Sequence, residues 1–236
     1  MLFRSGKYWH RNHTALIKNY IKQSISEIKQ EHDDFELWVG NNILEDVLKL
    51  LLTYTELIHE NIPWDENGLI LPFNNVVYDL QTGTTREHRK EDYITLKTGY
   101  DYKPSTLQEQ EEIRNKTIDK IFANNPDGLD IILQEYASGL MGQCFQYLFV
   151  HNGRGGNGKG IMSKLMGAIL GDKFYLQAKP AVLQKEEATN ANPDKVNLAY
   201  KRYTVFPECE GTLNAPVVKD LFGGDLIKAR QLHCIK

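Results

Sequence analysis

Apolar residues recur at helical spacing in the first part of the chain, and residues that favour helix ends mark the limits of these runs. The run from Leu16 to Ile28 predicts a first helix. A second helix is predicted from Asn42, with Glu45 three positions later in a capping arrangement, and is expected to end before Pro63.

Short β-like runs and two more helices are predicted before residue 142. The β-like runs are Leu69–Leu71, Val76–Leu80 and Tyr93–Lys97, with a turn at Gly83. One helix begins with a capping box of Ser105 and Gln108 and reaches about Phe122. The other covers 129–140, and Gly142 ends it.

The pattern changes after residue 142, where strand-like and helix-like segments alternate. The predicted strands are Phe145–Val150, which we expect to be a buried parallel strand, Lys173–Gln177 and Tyr203–Phe206. The predicted helices are Ile161–Leu170, ended by Gly171, and one that Asn214 caps and that runs to Phe222. Such alternation indicates an α/β fold with a parallel sheet. We therefore predict a mainly helical α+β domain over 1–142 and a parallel α/β domain over 143–236.

Composition and charge narrow the class of protein. The 236 residues are 41% hydrophobic and 25% charged, and no run of about 18 apolar residues predicts a membrane span. A cytosolic or nuclear setting is expected. The net charge of −3 combines two basic end regions with an acidic middle, which excludes a uniformly basic nucleic-acid-binding coat.

A glycine-rich loop lies between the predicted strand 145–150 and the helix that follows. Its residues are Gly153, Arg154, Gly155, Gly156, Asn157, Gly158, Lys159 and Gly160. The first seven fit the pattern G-x-x-x-x-G-K of a phosphate-binding loop, in which backbone N–H groups, a helix N-terminus and a lysine hold the phosphates. The loop predicts binding of a nucleoside triphosphate, ATP above all. Gly160 stands where a Ser or Thr would bind Mg²⁺, so binding is better supported than efficient hydrolysis.

Two carboxylates follow the predicted strand 203–206, about fifty residues after the loop. Glu208 is the better candidate for the Mg²⁺ side and Glu210 for the base that activates water, although these roles could be exchanged. The next segment carries Lys219, Lys228 and Arg230 around a Gly-Gly turn. These cations could contact a phosphate backbone, and ordinary surface charges are the alternative.

Together the segments GRGGNGKG, VFPECEG and KDLFGGDLIKAR resemble the superfamily 3 helicases, in particular the helicase–primase type of poxviruses, giant viruses and phages. The segment LPFNNVVYDL with Thr82-Gly83 is similar to the domain that precedes the ATPase in that family. The resemblance implies an AAA+ P-loop NTPase that uses ATP and Mg²⁺. It also implies DNA as a partner, a homo-hexamer in the complete protein, contacts with other replication proteins, and a place in the host cytoplasm or at a viral replication site.

By the same resemblance, residues 153–159 would hold ATP, Glu208 and Glu210 would serve Mg²⁺ and hydrolysis, and Lys219, Lys228 and Arg230 would contact DNA. The sensor and arginine-finger motifs of the family do not occur before residue 236. The sequence therefore predicts a fragment, a split gene product or a degenerate copy.

Two other functions stay open at this stage. The first is a nucleotide-binding or assembly protein that does not hydrolyse ATP, for which Gly160 and the missing sensor and arginine-finger motifs are the arguments. The second is a small-molecule kinase that uses the same loop, which the acidic pair and the basic segment disfavour.

Overall fold

The structure is a computed structural model that describes residues 2–5, 8–11, 14–31, 40–51, 53, 62–142, 145–184 and 193–223. The chain forms two compact units, and each is described by itself. The first contains residues 1–66 and 88–95, and the second contains residues 67–87 and 96–236. The second unit includes both sides of residue 142, and the domain boundary that the sequence places there stays a prediction.

The first unit starts with an antiparallel hairpin and continues with two helices. Its elements are β1 (Leu2–Ser5), β2 (Tyr8–Arg11), α1 (Thr14–Glu31) and α2 (Asn41–Leu51). Ile17 of α1 and both Leu44 and Leu48 of α2 are buried, as the helical spacing predicted. Helix α2 begins one residue before the predicted Asn42, and the predicted continuation over 54–61 lies outside the described residues.

The predicted strand at Tyr93–Lys97 is wrong. A 3₁₀ turn at Lys90–Asp92 leads into Tyr93, the first residue of the predicted strand, which adopts the left-handed region with φ 47°, and residues 93–97 form no strand. The Tyr93 ring instead packs edge-on against Trp64, with centroids 5.7 Å apart.

The second unit opens with an antiparallel sheet of order β3-β4-β5, formed by Ile70–Pro72, Val77–Asp79 and Thr84–Arg86. The first two strands confirm the predicted ones. The third strand follows Gly83 at once, because Gly83 adopts φ 68° and the Asp79 carboxylate accepts the N–H groups of Gln81 and Thr82. These hydrogen bonds, that from the Thr82 backbone first, lower the pKa of Asp79.

Three helices follow the sheet: α3 (Leu107–Lys116), α4 (Ile118–Ile121) and α5 (Pro126–Met141). The capping box is formed by Thr106 and Glu109, one residue after the predicted pair. The predicted helix over 129–140 is confirmed as α5, with Asn125 as its N-cap and Gly142 at φ 58° beyond its end.

The remaining elements are α6 (Lys159–Phe174), β6 (Tyr175–Gln177), α7 (Ala181–Gln184), α8 (Pro193–Val196), β7 (Tyr203–Val205) and α9 (Ala215–Phe222). They confirm the helix after the loop, the strands near 175 and 203, and the Asn214-capped helix. Gly171 breaks α6 with φ 68° and ψ 174°, close to its predicted end.

The predicted buried strand Phe145–Val150 is wrong. Its backbone pairs with no strand among the described residues, and each of its side chains is exposed. Tyr147 keeps 69% and Val150 76% of their surface accessible. Within the described residues, parallel pairing is limited to β6 with β7, so the predicted parallel sheet is represented there by two strands. A buried strand needs neighbours at both edges, and the apolar run alone does not supply them.

The core of the second unit joins the antiparallel sheet to α5 and α6. Its buried members are Leu71, Phe73, Ile132, Tyr136, Met162, Met166, Leu170 and Phe174. The Arg202 guanidinium links α5 to β3, because it donates hydrogen bonds to the carbonyls of Leu140 at 2.8 Å and Ile70 at 2.9 Å. It also lies 4.6 Å from the centre of the Phe174 ring. Among the helices that the structure describes, none combines the length and apolar character that a membrane span requires.

Candidate phosphate-binding site

The glycine-rich loop leads directly into the N-terminus of α6. Gly156 and Gly158 adopt φ 77° and 89°, values that residues other than glycine rarely adopt, and Gly158 is the N-cap of the helix. The N–H groups of Ile161 and Met162 donate to the Gly158 carbonyl at 2.9 and 3.0 Å. The first turn therefore directs backbone N–H groups and the positive end of the helix dipole towards the loop.

Lys159 folds back over the loop. Its ammonium group donates to the carbonyls of Gly153 at 2.8 Å and Arg154 at 3.2 Å, and to Asn157 Oδ1 at 2.9 Å. The loop thus holds a cation against its own carbonyls, beside the exposed N-terminus of a helix. This arrangement offers positive charge and N–H donors to an anion.

Gly160 has open space around it. A Cβ built on Gly160 meets no heavy atom within 4 Å, whereas one on Gly158 would lie 2.8 Å from Ile121 Cγ1. Position 160 therefore has room for a serine or threonine side chain, and steric crowding does not explain why glycine stands there.

The two acidic residues lie just beyond β7. Glu208 and Glu210 are both exposed, and Glu208 adopts φ 50°. The Gln184 side chain donates to the Glu210 carbonyl, which anchors this turn to α7. Among the described residues no hydrogen bond or ion pair joins Lys159 to either carboxylate, and no group of three or more His, Cys, Asp or Glu side chains forms a metal cage.

Two exposed carboxylates at one turn are donors of the kind that Mg²⁺ prefers. Magnesium usually takes one or two carboxylates and completes its shell with phosphate oxygens and water. Glu208 and Glu210 would be the carboxylates, and ATP would supply the phosphates.

The structure describes part of the predicted DNA-contacting segment. Lys219 lies on the exposed side of α9, and its carbonyl accepts the Gly223 N–H at 2.7 Å. Lys228 and Arg230 lie outside the described residues, so their DNA-contacting role stays a prediction.

A buried carboxylate beside the loop was missed by the sequence analysis. Glu135 of α5 is 4% exposed, His151 Nε2 lies 2.6 Å from its Oε2, and the Tyr203 hydroxyl donates to its Oε1. The signal in the sequence was a glutamate on the apolar face of α5, next to Tyr136 and three positions after Ile132.

The pKa of His151 reflects this contact. The hydrogen bond to Glu135 raises the pKa of His151 above its usual 6.5, against opposing effects of burial and of the Lys159 charge. Burial and the same carboxylate raise the pKa of Tyr203, so this hydroxyl stays protonated and donates.

Comparison with known proteins gives a family and several viral relatives. A family model described as "D5 N terminal like" matches residues 2–123, more than half of the chain. "Putative helicase L207/L206" of Acanthamoeba polyphaga mimivirus is 27% identical over 178 residues, which cover 72% of this chain and 18% of that protein. "Putative helicase 121R" of Invertebrate iridescent virus 3 is 26% identical over 182 residues, which cover 71% of this chain and 18% of that protein.

"Putative helicase 184R" of Invertebrate iridescent virus 6 is 26% identical over 222 residues, which cover 88% of this chain and 22% of that protein. The chain spans about a fifth of the length of these relatives. An alignment that covers 88% of the chain extends beyond residues 2–123, which the family model matches.

Proposed function

This chain belongs to the D5 N-terminal-like family, and we propose that it carries the ATP-binding portion of a viral or phage replicative DNA helicase. The complete protein would couple ATP hydrolysis to DNA unwinding as a superfamily 3, AAA+ P-loop NTPase. The observation that carries the proposal is the loop over 153–159, which holds Lys159 at the N-terminus of α6. The helicase names of the viral relatives support it.

The loop would bind the triphosphate by exchanging one set of contacts for another. The Lys159 ammonium is satisfied by loop acceptors, and phosphate oxygens would replace some of them with charge-assisted hydrogen bonds. Glycines at 156 and 158 let the backbone N–H groups turn inward. Asn157, which accepts from Lys159, would keep the ammonium inside the loop.

Hydrolysis would depend on the acidic pair after β7. Glu208 would hold Mg²⁺ and its waters, and Glu210 would accept the proton of the attacking water; both are exposed to solvent. Bound Mg²⁺ would neutralise charge that develops on the phosphates.

A second function is favoured by Gly160. Without a hydroxyl at this position, Mg²⁺ loses one protein ligand, and the chain would bind ATP without efficient turnover as an assembly protein derived from such a helicase. Measurable steady-state phosphate release by the 236-residue chain would exclude the second function.

DNA, a homo-hexamer and other replication proteins complete the proposal as partners. Lys219, with Lys228 and Arg230, would contact the phosphate backbone of DNA. Replacing Lys219 with alanine should weaken DNA binding about equally for all sequences and reduce the salt dependence by about one phosphate contact. Titration of labelled DNA at several salt concentrations measures this, and an unchanged slope would remove Lys219 from the interface.

The central test replaces Lys159 with alanine. Loss of a charged donor costs about 1.5–3 kcal/mol, so ATP affinity should fall about tenfold to a hundredfold. Lys164→Ala is the matched control, because Lys164 is an exposed lysine of the same helix one turn further on. Equal affinity of the two variants, measured by calorimetry, would reject the assignment of the loop.

A further inference from the structure

Glu135 is a carboxylate that is buried in the second unit and that contacts one residue shortly before each half of the candidate site. It lies on α5, while His151 stands two residues before the loop and Tyr203 begins β7, the strand that leads to Glu208. Each oxygen of the carboxylate has its own partner: His151 at Oε2, 2.6 Å away, and the Tyr203 hydroxyl at Oε1.

Burial makes these partners necessary. An ionised carboxylate removed from water is costly unless it is paired and hydrogen-bonded. The Glu135 side chain is 5% exposed, whereas the His151 side chain keeps 37% of its surface accessible. Of the two partners of the Glu135 carboxylate, His151 lies two residues before the phosphate loop.

The groups that face His151 come from three elements. Glu135 of α5 attracts its protonated form, Lys159 of α6 repels it, and Tyr203 of β7 acts through Glu135, whose other oxygen it occupies. A change at any one of them alters either the charge of the ring or its position.

We propose that Glu135 is a positioning residue of the phosphate site, which through His151 and Tyr203 fixes the start of the loop relative to β7. This inference rests on the proposed function, since it takes the loop to be the place where the triphosphate binds. It goes beyond the family resemblance because neither Glu135, His151 nor Tyr203 belongs to the three sequence segments that define it.

The arrangement makes nucleotide binding proton-linked. Phosphates that bind Lys159 reduce its repulsion of the His151 imidazolium, so a bound triphosphate should favour the protonated ring. By linkage, the protonated protein should then bind the triphosphate more tightly. Because the contact with Glu135 raises the pKa of His151 in the folded chain, its stabilising effect is present below pH 6.5 and is lost as pH rises through the raised pKa.

The experiment combines histidine NMR with nucleotide titration of the full chain. The His151 signal is identified among the seven histidines by its absence in His151→Gln. Its pKa is measured with and without ATP, and the affinity for a fluorescent ATP analogue is measured between about pH 5 and pH 8. His151→Gln also reports the pH dependence that belongs to the nucleotide itself.

Three results are expected. In the wild-type chain the pKa of His151 rises when ATP is added, and affinity falls several-fold as pH rises through it. In Glu135→Gln the pKa of His151 returns towards 6.5 and the pH dependence matches that of His151→Gln. Asp130→Asn, an exposed carboxylate change on the same helix, behaves as the wild type.

Other outcomes separate the two claims. If Glu135→Gln lowers the melting temperature but leaves the pH dependence of affinity unchanged, Glu135 has only a structural role and the inference is overturned. If Glu135→Gln does not fold, the response of the wild-type His151 signal to ATP still decides, because an unchanged pKa overturns the inference. A wild-type chain that binds the analogue with no pH dependence refutes the inference alone, and a chain that binds no nucleotide refutes the proposed function as well.

Discussion

Gly158 and Gly160 flank Lys159, and the same substitution should have opposite effects at the two positions. Gly158 adopts φ 89°, and an added Cβ would lie 2.8 to 3.1 Å from three side-chain carbons of Ile121 in α4. Carbon atoms normally rest about 3.5–4.0 Å apart, and a β-branched isoleucine has little freedom to move aside. Gly160 has no positive φ and no atom within 4 Å of the added carbon.

The magnitudes follow from these two environments. A side chain forced into a left-handed backbone costs about 1–3 kcal/mol, and displacement of Ile121 adds to this value. Alanine for glycine inside a helix gains up to about 1 kcal/mol. We therefore expect the free energies of unfolding of Gly158→Ala and Gly160→Ala to differ by about 2–4 kcal/mol, with Gly160→Ala at or above the wild type.

Urea denaturation of the wild type and the two variants measures this difference in the free energy of unfolding. ATP titration of the same three proteins measures the effect of each substitution on nucleotide affinity. Gly158→Ala should also weaken ATP binding, because relief of the strain rotates the N–H groups at the start of α6. Equal stability of the two variants would show that the loop does not have the described conformation, and would remove the structural basis for its glycines.

Two further predictions concern hydrolysis and stability. Gly160→Ser places a hydroxyl in open space where Mg²⁺ is expected. Mg²⁺-dependent phosphate release should therefore rise about tenfold or more, which corresponds to a change of about 1.4 kcal/mol in the barrier. An equal rise in Gly160→Ala would contradict this reasoning. Arg202→Met removes the donor to the Leu140 and Ile70 carbonyls and should lower the free energy of unfolding by about 2–4 kcal/mol. Urea denaturation measures the second effect, with the exposed Lys173→Met as control, and a loss below that of the control would refute it.

Local signals in the sequence were sufficient for several helices. Gly142 ends α5, Asn214 caps α9, and Gly171 breaks α6, because caps and left-handed glycines act within one turn of the residue that carries them. The capping box of α3 was predicted one residue too early, since Ser105 and Thr106 offer the same chemistry side by side.

Features that depend on distant neighbours could not be predicted in this way. The apolar run Phe145–Val150 has the composition of a buried strand, but burial depends on partner strands that the run does not encode. Tyr93, where a strand was predicted to begin, has a left-handed backbone, a conformation rare for tyrosine and not signalled by its neighbours. Glu135 was passed over for a related reason: its partners are 16 and 68 residues away along the chain.

The loop motif was read from eight consecutive residues, but its geometry is set from outside them. Ile121 of α4 lies against Gly158 and belongs to the family-matched part of the chain. Glu135 of α5 holds His151 before the loop, and the Tyr136 hydroxyl donates to the Met162 carbonyl in the first turn after it, at 2.6 Å. Helix α4 thus contacts the loop at Gly158, and α5 contacts the residues on either side of the loop. We therefore expect a nucleotide that changes the conformation of the loop to change these helix contacts as well.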